Sequence, residues 1–437
     1  MRWKKMIATA LAGVMLLAGA SCKKATVNTS PEFNFETDSQ YWTYDMYSFA
    51  VAETETGFYY LSESVVGFLH YIDKATMQDI PLCSKPNCVI HETEYSELTE
   101  ITDTTYEELS QCNAFVRMPG ISTGRALMYY KGYLYCVTEE TTLQGNAVDR
   151  TLTLTQISLD GTERKAIWEI STPHNSKVSS LSDVLLHRGK LYFTTYSGTI
   201  SDLYCYDLES QKVVELREFR TIPRMMARGD SLLVDVHSGE GMLLYTISTG
   251  EWEVLPEEYQ RVYPYENGFF FLSVEDPLAF ESDFWGTYTD LFGKNPQRVD
   301  YPENTTAYAV SEKYLCLYDT IAHYYLRETG EEISREKYLE LSDQGEKNID
   351  DLVEKVINYD YKIYDRETMQ CLGTLDNNVY PGGAMWFTED RIYHFNYDRM
   401  ETGEGEEEKE LPDALCYADL ADLGSDAFAW KVVEPSR

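Results

Sequence analysis

The chain has 437 residues, with 37 Lys and Arg against 73 Asp and Glu, giving a formal net charge of −36. No basic cluster lies outside the first two dozen residues, so neither nucleic acid nor an anionic membrane surface is the expected partner. Hydrophobic residues make up 43% of the chain, enough to build a core, and 14 Pro and 26 Gly exclude a fibrous or low-complexity class.

The N-terminus reads as an export signal. Arg2, Lys4 and Lys5 precede an apolar stretch from Met6 to Ala18, which is the size of a secretory h-region and too short for a membrane span. Gly19, Ala20, Ser21 and Cys22 then resemble the lipobox of bacterial lipoproteins, in which signal peptidase II cuts before a diacylated Cys. Gly19 stands where that pattern usually has Leu, and the nearest Leu is Leu17. The resemblance implies a signal peptide over 1–21, lipidation at Cys22 and an extracytoplasmic protein held to the cell membrane by diacylglycerol; a freely secreted product is the alternative. Residues 22–42 are rich in Thr, Ser and Asn and read as a flexible tether. Loss of the three basic residues of the signal takes the charge from −36 to −39.

From Tyr44 onward the pattern is period-2 alternation in short runs bounded by Gly, Asp, Asn or Lys turns, as antiparallel strands require. One phrase recurs, a turn followed by an apolar-aromatic strand. It starts at Gly57, Gly132, Gly189, Asp230, Gly268, Glu312 and Asp390, with spacings from 38 (Asp230 to Gly268) to 78 (Glu312 to Asp390). A partner strand often ends in Tyr-x-Asp, as in Leu203-Tyr204-Cys205-Tyr206-Asp207 and Tyr361-Lys362-Ile363-Tyr364-Asp365. A four-stranded sheet that cannot bury both faces alone, repeated seven times, describes the blades of a β-propeller. The expected architecture is therefore all-β: a single seven-bladed propeller over 43–437, two β-sandwich domains being the alternative. A monomer is expected.

Two stretches break the rhythm. Within an insertion at about 330–357, Ile349, Leu352, Val353, Val356 and Ile357 fall at helical spacing behind Asn348, which predicts a short amphipathic helix inside the sixth blade. The acidic run Glu401 to Glu410 reads as a solvated loop in the seventh.

The nine cysteines carry the sharpest chemistry. Cys136, Cys205, Cys316, Cys371 and Cys416 sit in strand patterns and read as small core residues. Cys83, Cys88 and Cys112 cluster with His91 within thirty residues, a donor set for a tetrahedral structural zinc; a disulfide such as Cys88–Cys112 or Cys83–Cys88 is the competing reading, and free thiols a third. The four-residue gap between Cys83 and Cys88 is wider than the usual two of a zinc knuckle. Leu82-Cys83-Ser84-Lys85-Pro86-Asn87-Cys88 with His91 and Cys112-Asn113-Ala114 resembles a phrase of uncharacterised lipoproteins of anaerobic Gram-positive bacteria. Their bodies are predicted propellers similar to TolB-like and related domain-of-unknown-function groups. The resemblance spans about thirty residues and implies no catalytic residues.

No Gly-x-Ser-x-Gly elbow, His-Glu-x-x-His or phosphate loop is present. Ser158-Leu159-Asp160-Gly161-Thr162 shares part of the Asp-box pattern of sialidase-like propellers but lacks its closing Trp, and reads as a turn. The sequence favours a binding or scaffold module for a glycan, a peptide or a membrane-complex partner. An aromatic-rich loop in the fifth blade bearing Phe280, Phe284, Trp285 and Tyr288 supplies the contact candidates, because exposed aromatics beside acids suit sugars or cationic groups; packing against the neighbouring blade is the alternative for the same residues. The alternative is a polysaccharide hydrolase or lyase with carboxylates at the propeller mouth.

Overall fold

Alternating apolar side chains fold the described residues of this chain into seven antiparallel four-stranded meanders in a computed structural model. It describes residues 28–40, 51–62, 67–92, 107–117, 127–144, 147–172, 180–196, 200–236, 240–274, 284–300, 302, 305–343, 349–375, 385–396, 399–401, 409–411 and 414–434. Sheets 1 to 7 span 51–81, 127–172, 180–219, 224–254, 259–299, 305–375 and 385–433. Each recurring phrase of the sequence is the second strand of a sheet: Gly57–Ser62, Tyr133–Gln144, Lys190–Tyr196, Ser231–Val236, Gly268–Val274, Tyr314–Leu326 and Arg391–Asn396. The turns before them explain the punctuation. Lys131-Gly132 and Arg188-Gly189 carry positive φ at both positions, the two-residue hairpin turn whose twist matches the strands it joins. The Tyr-x-Asp aspartates close the other turn: Asp73, Asp207 and Asp365 each accept backbone N–H groups from two to three residues ahead.

Seven apolar clusters join successive sheets. Leu61 of sheet 1 packs with Leu134 of sheet 2, Val137 of sheet 2 with Phe193 of sheet 3, and so on to Cys316 with Ile392 between sheets 6 and 7. The ring closes where Trp386, Tyr393 and Phe395 of sheet 7 meet Phe58, Tyr60 and Ile72 of sheet 1. First strands of neighbouring sheets lie against one another, whereas fourth strands such as Glu251–Val254 face water. This is a β-propeller. Among the described residues, the first and last sheets share no strand.

Sheets 2 and 6 have unusually long central hairpins. Tyr133–Gln144 pairs with Ala147–Ser158, and Tyr314–Leu326 with Val353–Asp365. The second of these corrects the helix expectation. Helix α1 occupies Arg335–Asp343, α2 covers only Ile349–Leu352, and Val353 to Ile357 continue as strand. Apolar positions at helical spacing had β-branched side chains at 353, 356 and 357, and a long neighbouring strand supplies their ladder instead. Asn348 lies outside the described residues. In sheet 7 a small inserted hairpin pairs Arg399–Glu401 with Lys409–Leu411, so both ends of the acidic run are strand; 402–408 lie outside the described residues.

Meander topology places the turns between first and second strands on one face, here the near face, and the hairpins between second and third strands on the opposite, far face. Residues 28–40, which the sequence assigned to the flexible tether 22–42, lie as a strap across the near face. Lys131 N–H donates to Glu36 O (2.9 Å) and Arg188 N–H to Thr37 O (2.7 Å). The Gln40 amide donates to Glu53 O (2.6 Å) and accepts from Glu53 N–H (2.8 Å). The Arg188 guanidinium grips both carboxylate oxygens of Asp38 (2.7 and 2.8 Å) and the carbonyls of Asn28 and Ser30. Arg228 of sheet 4 donates to Ser39 O. Asp38 is 0% exposed and Arg228 1%.

His187 lies at the centre of this contact. Its Nδ1 accepts from Ser39 N–H (3.0 Å), which leaves the proton on Nε2 to be donated to Gly229 O (2.8 Å). Burial pushes its pKa down to about 4, so the folded imidazole is neutral at pH 7. The unfolded group, near 6.5, takes a proton first as pH falls. Stability from this residue is therefore complete above about pH 6.5 and declines towards about pH 4, by at most about 3 kcal/mol. His394, also 0% exposed and pushed down to about 3, acts in the same direction. Urea unfolding at pH 7 and pH 4.5 checks this, and His187→Asn is expected to flatten the decline.

Candidate metal centre

Cys83, Cys88, His91 and Cys112 meet at the outer edge of sheet 1. The edge strand Asp79–Pro81 runs to Leu82, whose N–H donates to Leu69 O (2.8 Å). The chain then leaves the sheet and returns at Ala114, whose carbonyl accepts from Leu69 N–H (2.8 Å), before Phe115–Val116 resumes pairing at Phe68 and Gly67. Both ends of this excursion are thus pinned to one residue, Leu69, and the cysteines stand in its neck.

The wide gap between Cys83 and Cys88 is closed by a turn. Pro86 fixes φ at the second position, Asn87 takes φ +60° at the third, and Cys88 N–H reaches Lys85 O (3.4 Å). His91 follows on a short 3-10 turn, Ile90–Glu92. The ligand atoms of all four residues lie within 4.8 Å of one another, with Cys112 Sγ 3.6 Å from His91 Nδ1. Cys83, Cys88 and Cys112 are free thiols in this structure. Cys112 is buried on Phe68, Leu109 and Phe115, while the other three donors are half-buried.

Electrostatics separate the thiols. Burial pushes Cys112 up to about 12. Burial opposes ionisation of Cys83 too, yet N–H groups of Lys85 and Asn113 and the neighbouring thiols outweigh it and hold Cys83 below the usual thiol range. Asn113 Nδ2 donates to Ser84 Oγ (3.0 Å), Lys85 Nζ donates to Gln111 O, and the Arg164 guanidinium of sheet 2 binds the carbonyls of Asn113 and Phe115. Arg164 gave no sequence signal as part of this site, because its partners lie 49 and 51 residues away.

Of the other expected site residues, the structure describes the side chains of Trp285 and Tyr288. Cys22 and Phe280 lie outside the described residues, as does the side chain of Phe284, which opens the third strand of sheet 5. Trp285 is half-buried with the Arg298 guanidinium 4.3 Å above its ring. Tyr288 is 2% exposed, packed on Phe270 (4.7 Å) and Tyr265 (5.4 Å) and covered by Arg366 (4.2 Å). It is a core residue: the strand begins at Phe284, so the aromatics read as an exposed loop belong to a sheet. Of the core cysteines, Cys136, Cys205, Cys316 and Cys416 are buried as expected, but Cys371 on an outer strand is exposed.

The chain is similar in structure to the β-propeller domain of the Trilobed protease from Pyrococcus furiosus, at 10% identity over 69% of this chain and 89% of that one, with a TM-score of 0.37. TolB from Acinetobacter baumannii aligns at 14% identity over 87% of this chain and 81% of its own, with a TM-score of 0.33. BamB from Moraxella catarrhalis aligns at 8% over 78% and 79%, again at 0.33. No protein-family model and no curated protein matches the sequence.

Proposed function

We propose that the protein is a lipid-anchored extracytoplasmic propeller that serves as a binding or scaffold module, presenting its far face to a partner. The observation that carries this reading is the course of residues 28–40 across the near face. An anchor at Cys22 stands six residues before Asn28, a reach of about 20 Å even when fully extended. The near face would therefore be held towards the bilayer and the far face away from it. That far face bears the hairpins of sheets 2 and 6, whose strands of 12 and 13 residues exceed the 6 of a strand such as Ser231–Val236. The excess is worth roughly 20 Å of projection. The charge of −39 left once the signal is removed favours a partner surface that is neutral or cationic.

Cys22→Ser is expected to move the protein from the membrane fraction to the soluble extracytoplasmic fraction; retention in the membrane would contradict the anchor. The partner is tested separately with a photo-crosslinking residue at Leu339 on α1, which is 48% exposed. A discrete adduct in intact cells is expected, and its absence would remove the support for a far-face partner.

A further inference from the structure

We infer that Cys83, Cys88, His91 and Cys112 bind one zinc ion as a structural clasp across the neck of the excursion between Leu82 and Ala114. Four observations converge on it. First, a tetrahedral zinc with Zn–S near 2.3 Å and Zn–N near 2.1 Å sets sulfur and nitrogen about 3.6 Å apart. That is the separation of Cys112 Sγ and His91 Nδ1, and the whole donor set lies within 4.8 Å. Second, a disulfide would use two of these donors and leave a thiol and an imidazole converging for no purpose. Third, the segments that carry Cys83 and Cys112 are braced from outside: Asn113 Nδ2 donates to Ser84 Oγ (3.0 Å), and the Arg164 guanidinium binds the carbonyls of Asn113 and Phe115. Such outer contacts steady the residues that hold a metal. Fourth, three soft sulfurs with one imidazole select zinc over magnesium or calcium, which take oxygen donors.

Four protein ligands fill a tetrahedron and leave no position for water or substrate, so the ion's role is structural. On binding, the three thiols release their protons to solvent and the imidazole coordinates as the neutral ring. The site then carries one net negative charge. The inference is independent of membrane anchoring and of the far-face partner.

The test uses the full-length protein purified without chelator or reductant. Elemental analysis is expected to find one zinc per chain, and cobalt substitution to give the intense thiolate charge-transfer and tetrahedral d–d bands of a sulfur-rich site. Cys88→Ser and His91→Ala, at half-buried positions, are expected to lose the zinc, while Cys371→Ser on the exposed outer strand keeps it. Three outcomes each overturn the clasp: no zinc and no cobalt spectrum in the unmutated chain, a disulfide between any two of the three cysteines, or full zinc content in both variants. Because the cobalt spectrum is read on the unmutated protein, a variant that fails to fold does not shelter the proposal.

Discussion

Arg188→Ala is expected to destabilise the folded chain by about 3–5 kcal/mol and to release the strap from the near face. The Asp38–Arg188 pair is dry, with side-chain exposures of 0% and 7%. Removing the guanidinium leaves the buried Asp38 carboxylate without its cation, and takes from the strap the donor that also holds the carbonyls of Asn28, Ser30 and Glu32. Burial by itself would raise the Asp38 pKa, but the Arg188 bonds and the fields of His187 and Arg188 hold it below the usual carboxylate range. Its stabilising effect is accordingly present above the unfolded pKa near 4 and is lost as pH falls through the lower folded value. Urea unfolding gives the energy, and proteolysis of residues 28–40 reports release. Arg188→Lys is expected to fail as a rescue, because an ammonium cannot fork to two carboxylate oxygens while also reaching three carbonyls. Lys337→Ala, which breaks the exposed pair with Glu340, is the matched control and should leave stability nearly unchanged. A small effect of Arg188→Ala with the strap still protected would mean that the strap is held by its backbone bonds.

Phe58→Ala should cost a similar amount, about 3–5 kcal/mol, but with a different signature. Phe58 is 0% exposed and packs between Trp386 (6.0 Å) and Tyr393 (4.7 Å) where sheet 7 meets sheet 1. Among the described residues this seam is made by side-chain packing, with Arg391 Nη1 to Lys74 O (3.5 Å) as a weak polar contact. A cavity there weakens the one joint that chain connectivity does not reinforce. The urea transition of Phe58→Ala is expected to broaden, with a lower m-value, as sheets 1 and 7 part before the rest. Phe270→Ala is the comparison: Phe270 is also 0% exposed and packs on Tyr288, in the cluster between the chain-linked sheets 5 and 6. It should lose comparable energy and keep the m-value. Equal m-values for the two variants would refute the weak seam.

The sheets were legible because their signals are local. A second strand such as Lys190–Tyr196 carries its own alternation, its own positive-φ turn at Arg188-Gly189 and, in the next strand, its own capping Asp207. The metal ligands were legible for a similar reason, three of the four lying within nine residues of one another. What spacing could not convey was that the Pro86-Asn87 turn folds the long gap back on itself. The misreadings share one cause. Whether 353–357 coil or extend was decided by the strand at 314–326, and whether Tyr288 faces water by Phe270 and Arg366. The strap lacks apolar periodicity, and so resembles a tether in sequence; its order comes from Arg188, 150 residues from Asp38, and Arg228, 189 from Ser39.

The seam between the last sheet and the first also dictates an order of assembly. Each meander is made from consecutive stretches of chain, so a polypeptide appearing N-terminus first can complete its sheets one at a time with short-range contacts. Two long-range events remain. The strap cannot latch until Arg228 has emerged, and the ring cannot shut until Val433 has joined the last sheet. Closure brings Trp386, Tyr393 and Phe395 of the last sheet onto Phe58, Tyr60 and Ile72 of the first, and a chain halted short of it is an open arc of completed sheets with both apolar rims exposed.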